Sequence, residues 1–274
     1  MKERTNSYKY LIIIGILVTI ALIIIGPIFF LILNTFKPTS EVLTAPFSLP
    51  SHFTLENYAQ VWPYMKSAFL SSLKVTIGSV GMLLLFPPMV AYSLSFSDFR
   101  GKRIITLMSL FGIFAIPVAG ILPIMLLLKN LNLINTHIGL ILVYYGLYYP
   151  IGVFIIREYY NSISPSLWEA AEIDGLSFWG KYRKIFFPLA KPMLIALAIL
   201  MTVYIWNEYT LALVLLNDSA KYTVPLMLSS LGGQYGAPWG MRLAGIGLSV
   251  IPMVIIVTFF SDELRRGMSF GTVQ

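Results

Sequence analysis

The chain has 274 residues, of which 57% are hydrophobic and 11% charged, and a formal net charge of +7. This composition places it among integral membrane proteins and sets aside the usual count of one soluble domain per about 150 residues. The positive excess does not point to nucleic acid, because the Lys and Arg residues sit at the ends of apolar runs instead of on one polar surface. Cysteine is absent, which excludes disulfides, thiolate nucleophiles and cysteine-held metals.

Lys2, Arg4 and Lys9 precede an apolar run over about 10–33. A secretory signal has an apolar core of only about 7–15 residues followed by a small-residue cleavage site. This run is long enough to cross a hydrocarbon layer of about 30 Å and no such site follows, so it reads as a retained first helix, bent near Pro27. A Pro-, Ser- and Thr-rich segment leads to a second run, 69–96, which contains Pro87 and Pro88. Prolines are tolerated there only where neighbouring helices or a cavity satisfy the freed carbonyls. After the basic turn at Arg100, Lys102 and Arg103 comes a third run, 104–128, interrupted by Pro117 and Pro123. A turn at 129–136 precedes the fourth, 138–156, interrupted by Pro150. A polar loop at 157–191 separates it from the fifth, 192–216, and the sixth, 243–260, is broken at Pro252 before a tail with Arg265 and Arg266. The expected fold is all-α, a single transmembrane domain over 1–274 with six spanning helices.

Six spans put both termini on one side, and the positive residues decide which. Lys2, Arg4, Lys9, Arg100, Lys102, Arg103, Arg157, Lys181, Arg183, Lys184, Lys191, Arg265 and Arg266 fall on the side of the termini, against Lys37, Lys66, Lys129 and Lys221 opposite. The termini and the 157–191 loop are therefore expected to be cytoplasmic.

That loop has its own order. Ser164-Pro165 places Pro where the first helical N–H is not needed, and Ser166-x-x-Glu169 reads as a capping box. Leu167, Ala170 and Ala171 fall at helical spacing on one face, flanked by Glu169 and Glu172, and Gly175 is placed to end the helix in a left-handed turn. A second helix over about 178–186, with Lys181, Arg183 and Lys184, is expected to stop at Pro188.

Glu169-Ala170-Ala171, three residues, Gly175, nine residues, then Ile185-x-Phe187-Pro188 resembles the EAA motif of the permease subunits of ABC importers. Phe187 stands where that family usually has Leu. Phe36-Lys37-Pro38, Leu55-Glu56-Asn57-Tyr58, Ala91-Tyr92 before Phe99-Arg100-Gly101, Leu133-Ile134-Asn135-Thr136 and Trp206-Asn207-Glu208 extend the resemblance along nearly the whole chain. In order, these look like the six-helix permease of the maltose-type carbohydrate branch, in the type I importer fold.

The resemblance implies a multi-pass protein of a bacterial plasma membrane. It would work with a second permease subunit, two ATPase subunits and an external solute-binding protein. The chain lacks a G-x-x-x-x-G-K-[ST] phosphate loop, so ATP and Mg²⁺ are expected in the partner ATPase, with no cofactor or metal on this chain. By resemblance, 164–175 is the coupling helix seated in a groove of the ATPase. Glu169 would pair with a basic residue there, Ala170 and Ala171 would allow close approach, and Glu172, Asp174, Gly175, Ile185 and Pro188 would complete the motif. The bland alternative is that Glu169 and Glu172 are solvated charges on a surface helix.

Asn207 and Glu208 lie well inside the fifth run, where they either line the pathway or structure its outer end. Tyr148, with Tyr144, Tyr145 and Tyr149, either stacks on sugar rings or packs at the membrane interface. The loop with Gly232, Gly233, Gln234, Tyr235 and Trp239 is a candidate contact for the binding protein, against the reading of an ordinary turn. Three rivals remain: an ABC permease for a non-sugar solute such as glycerol phosphate, a stand-alone channel or secondary transporter, and an intramembrane enzyme. His52 and His137 stand alone and no G-x-S-x-G or H-E-x-x-H occurs, so the enzyme class has nothing to build on.

Overall fold

The computed structural model describes residues 2–114, 117–233 and 236–259, and every regular element among them is helical. The apolar runs with few internal charges become the long helices, since in lipid only intrahelical bonds can satisfy the backbone of a single segment. In order these are α1 (Lys2–Thr35), α2 (Thr39–Thr44), α3 (Glu56–Phe96), α4 (Lys102–Ile113), a 3₁₀ turn at Pro117–Gly120, α5 (Ile121–Asn130) and α6 (His137–Asn161). The loop contributes α7 (Pro165–Ile173), α8 (Phe178–Lys181), a π turn at Tyr182–Phe186 and α9 (Phe187–Leu189). There follow α10 (Lys191–Trp206), α11 (Thr210–Leu215), a 3₁₀ turn at Ser219–Lys221, α12 (Val224–Gly232) and α13 (Trp239–Phe259).

Among the described residues, four stretches are long and apolar enough to cross a membrane: Ile13–Thr35, Glu56–Phe96, His137–Asn161 and Trp239–Ile256. Counting Phe178–Leu189 and Lys191–Trp206, bent by 66°, as one crossing makes five. The third expected run, 104–128, is helical only in pieces. Among the described residues, α4 ends at Ile113 and a 3₁₀ turn opens at Pro117, whereas Pro123 sits in the first turn of α5, where a missing N–H leaves nothing unpaired. The fifth run stops at Trp206 and resumes at Thr210.

Pro150 and Pro252 do not interrupt their helices as expected, and Pro87 and Pro88 lie within an unbroken α3. Two of these rings pack closely against neighbouring helices. A Cβ on Gly112 would meet the Pro150 ring at 2.5 Å, and one on Gly152 would meet the Pro87 ring at 3.4 Å. Each ring fills a notch left by a glycine on a facing helix, which links α4 to α6 and α6 to α3.

The chain divides into two compact units, Met1–Met65 with Leu228–Ile251, and Lys66–Met227 with Pro252–Gln274. In the first unit, a polar latch orders the segment after α1. Lys37 is fully buried, its Nζ donating to the carbonyls of Ala45 (2.9 Å) and Pro46 (3.0 Å). Asn57 Nδ2 donates to the carbonyls of Thr35 and Lys37, and Tyr58 donates to Thr35 Oγ1. Gly240 of α13 lies so close to Asn57 that an added Cβ would overlap its carboxamide. The Ser51 hydroxyl and N–H together hold the Glu41 carboxyl below its ordinary carboxylate range.

The second unit holds the main apolar core, with Leu83, Tyr92, Leu140, Tyr144, Ile156, Phe186 and Met201 fully buried. A turn at 131–136 brings α5 to α6. Asn132 and Asn135 both take positive φ, a conformation Asn tolerates better than most residues, and Thr136 caps α6 through the Gly139 N–H. Asn135 Oδ1 accepts the N–H groups of Asn217 and Asp218, fastening the chain after α11.

Replacing Gly112 by Ala is expected to cost about 1–3 kcal/mol of stability through the overlap with Pro150. Gly146→Ala in α6, where an added Cβ meets nothing within 4 Å, is expected to be neutral or slightly stabilising. Unfolding midpoints in detergent check the pair; equal midpoints would remove the notch as a packing device.

Candidate functional site

The 157–191 loop begins at Ser164. The expected capping box at Ser166 does not form, because the fixed φ of Pro165 starts α7 one residue earlier and draws Ser166 into its first turn. The hydroxyls of Ser164 and Ser166 bond to each other at 2.8 Å, and Glu169 lies too far along the helix to reach back. The end of α7 follows expectation. Gly175 takes φ +71°, its N–H bonds Glu172 O, and Leu176 N–H bonds Ala171 O, which together make a Schellman motif.

Ala170 and Ala171 do not share a face. Ala171 is buried, with Leu167 and Trp168 half-buried near it along the helix, whereas Glu169, Ala170, Glu172 and Asp174 are exposed. Ile173, at the end of the exposed side, is 86% exposed. Ile185 is half-buried and Pro188 exposed. Pro188 does not stop the second helix. The chain widens into a π turn over Tyr182–Phe186 and continues to Leu189, a widening that relieves the clash a proline ring makes with the carbonyl four residues earlier.

The inner side of the loop rests on aromatic rings. Tyr92 and Phe96, one turn apart at the end of α3, face Tyr160 at the end of α6 and Trp168, Phe178, Tyr182 and Phe186 of the loop. Phe96 and Trp168 stack at 4.9 Å and 7°, and the buried Tyr92 hydroxyl donates to Phe178 O at 2.8 Å. Lys181 is buried too. Its ammonium lies 3.9 Å from the centre of the Trp168 ring and 3.5 Å from Glu172, so the acidic first helix and the basic second one are joined inside the loop. Beside α7, Glu169, Asp98, Lys102, Ser95 and Tyr160 contribute to the lining of a groove of about 540 Å³.

Asn207 and Glu208 sit in the gap between α10 and α11, not inside a continuous helix as expected. Glu208 makes that gap possible. Its Oε1 accepts the Leu211 N–H at 2.8 Å, and its Oε2 accepts the Ala212 N–H at 3.2 Å and the Tyr144 hydroxyl. The first amides of α11 and a buried phenol thus find a fixed acceptor. Asn207 is exposed and donates one N–H to Val203 O. Tyr148 stacks on Tyr204, with centroids 6.0 Å apart and planes at 22°.

In the first unit, Gly232 and Gly233 end α12 and Trp239 opens α13, half exposed. Gln234 and Tyr235 lie outside the described residues. Arg242 donates to Gly232 O (3.0 Å) and Ala237 O (2.7 Å) and lies over the Trp239 ring at 5.0 Å, so it ties both ends of this loop together. Among the described residues, no group of three or more His, Asp or Glu side chains is placed to hold a metal ion.

Residues 84–270, which include the 157–191 loop and the α10–α11 gap, match the family described as binding-protein-dependent transport system inner membrane component. The chain belongs to this family. It is 34% identical to the arabinooligosaccharides transport system permease protein AraQ of Halalkalibacterium halodurans, over the whole of both chains. It is 33% identical to the multiple sugar-binding transport system permease protein MsmG of Streptococcus mutans, covering 100% of this chain and 99% of that one. It is 30% identical to the diacetylchitobiose uptake system permease protein NgcG of Streptomyces coelicolor, covering 95% and 87%. Its fold is that of a chain in the crystal structure of a bacterial ABC transporter involved in alginate import, with a TM-score of 0.79 at 24% identity, covering 94% of this chain and 97% of that one. These relatives are transport permeases, not enzymes.

In this inner membrane component, the aromatic support of the loop was not anticipated from spacing. The available signal was density: Tyr159, Tyr160, Trp168, Phe178, Trp179, Tyr182, Phe186 and Phe187 fall within a stretch otherwise read as polar. Trp168→Ala is expected to destabilise the loop by about 3 kcal/mol through lost packing. Lys181→Met, which keeps the length and loses the charge, is expected to cost about 1 kcal/mol. Hydrogen exchange of the 165–189 amides reads both, and unchanged protection in Trp168→Ala would rule out the rings as the loop's support.

Proposed function

We propose that the chain is the transmembrane permease subunit of an ATP-driven importer that takes up a sugar or oligosaccharide delivered by an external solute-binding protein. The observation that carries this reading is the full-length likeness to permeases named for arabinooligosaccharide, multiple-sugar and diacetylchitobiose uptake. In this reading residues 1–274 form one permease domain in a bacterial plasma membrane, with both termini cytoplasmic. It has six crossings: α1, α3, α4 with α5, α6, α10 with α11, and α13. A second permease subunit completes the pathway, and two ATPase subunits bind the ATP and Mg²⁺, leaving this chain without a cofactor of its own.

The coupling loop works as a lever. The exposed side of α7 offers Glu169, Ala170 and the apolar Ile173 to a groove of the ATPase. Glu169 supplies the charge for a basic partner, and Asp174 and Gly175 turn the chain away from the contact. Glu172 acts inward, through Lys181, and Ala171 lets α7 lie close on its own support. Ile185 and Pro188 belong to the second arm, whose π turn sets the direction in which α10 leaves. ATPase closure displaces α7, the aromatic rings pass that displacement to the ends of α3 and α6, and the pathway opens alternately to each side. On the outer side, the 232–239 loop, with Gly232, Gly233, Gln234, Tyr235 and Trp239, contacts the binding protein.

Gentle solubilisation and affinity isolation of this subunit are expected to recover a second permease and an ATPase. Glu169→Lys is expected to insert normally yet lower ATP-driven sugar uptake by more than about tenfold, since a reversed charge faces the same basic partner. A subunit that came out alone and transported without ATP would overturn the reading, and uptake at the original rate in Glu169→Lys would remove that residue's role.

A further inference from the structure

The gap between α10 and α11 carries a more specific assignment, which rests on the carbohydrate-importer reading. From Lys191, sixteen helical residues bring α10 about 24 Å along its axis before the chain unwinds, so the gap falls within the depth of the hydrocarbon layer. Non-helical backbone at that depth is tolerated only where it is buried in protein or lines a water-filled cavity. Glu208 satisfies the inner side of the gap with both carboxylate oxygens, and so has little capacity left for a passing ligand. The other side is different. Tyr204, 51% exposed, and Asn207, also exposed, are three residues apart and share one face, and Tyr148 of α6 stacks beside Tyr204. Asn207 uses one N–H on Val203 O and keeps its Oδ1 and second N–H. A carboxamide facing lipid at this depth would be costly, so this face borders an aqueous path.

We propose that Tyr148, Tyr204 and Asn207 form a sugar-binding subsite on the transport path. A pyranose or furanose ring has an apolar C–H face and a rim of hydroxyls that both donate and accept. The Tyr204 ring, held in place by Tyr148, offers a flat apolar surface of matching size. Asn207 next to it offers one donor and one acceptor to the hydroxyl rim. Glu208 is a positioning residue: by capping α11 and holding Tyr144 it fixes the angle at which Asn207 leaves the helix.

The absence of cysteine allows a direct test. The complex isolated with this subunit is placed in proteoliposomes with its binding protein and ATP, and offered maltotriose, arabinotriose and N,N′-diacetylchitobiose. In Asn207→Cys, the introduced thiol is expected to react with a membrane-impermeant methanethiosulfonate, and the transported sugar is expected to slow that reaction severalfold. Tyr204→Leu is expected to raise the sugar concentration for half-maximal uptake by about three- to tenfold, with Tyr204→Phe near the original value. A thiol that does not react, or reacts equally with and without a sugar the unsubstituted complex takes up, overturns the subsite and leaves the importer reading standing. So does equal half-saturation in Tyr204→Leu. If the unsubstituted complex takes up none of the three sugars under ATP, the carbohydrate reading falls and the subsite with it.

Discussion

In a chain surrounded mostly by hydrocarbon, every backbone group released from a helix must find its partner inside the protein. The interruptions of this bundle follow from that rule. Where α11 starts, Glu208 receives two peptide N–H groups; where α11 ends, the Asn135 side chain receives two more. Where α6 starts, Thr136 receives one. Pro87 and Pro150 open no further gaps in their helices, and their rings are seated against glycines on facing helices. Of these interruptions, the one at Glu208 also brings hydrogen-bonding groups within the depth of the hydrocarbon layer.

The 157–191 loop solves a different problem with different residues. Short helices such as α7, α8 and α9 are unstable alone, since a few turns cannot offset the cost of nucleation. Flat rings from the ends of α3 and α6 give them something to pack on, and the Lys181 ammonium between Trp168 and Glu172 joins the two arms. The π turn keeps the second arm winding through Pro188, so from Phe178 to Trp206 the path bends sharply once, by 66° between Leu189 and Lys191.

Much of the architecture was legible because hydropathy and punctuation agree. The apolar runs ending at Thr35 and beginning at His137 are helices, and Gly175 closes α7 through the turn its missing Cβ permits. Proline was misread: Pro150 stays within α6, its ring packed against Gly112, thirty-eight positions earlier and on another helix. Ala170 and Ala171 differ in burial because the inner face of α7 is set by Trp168, whose partner Phe96 belongs to α3. Glu208 looked like an acid within a span because the gap it caps has no proline or glycine to announce it. Arg242 fastens Gly232 to Ala237, and such carbonyl acceptors leave no mark in a sequence. What could not be read was in each case a side-chain contact, near or far along the chain, that hydropathy and punctuation do not mark.

The ring-supported loop also bears on assembly. A segment that folds only when it meets its partner must lose its conformational freedom at that moment, which lowers affinity and slows capture. Here α7 already has its C-terminal cap, its buried face and its ion pair within the single chain, so little ordering remains to be done on contact. In the proposed assembly, docking onto that helix would be close to the meeting of two rigid bodies. Its rate would be governed by diffusion and by the charges exposed around Glu169 rather than by a folding step.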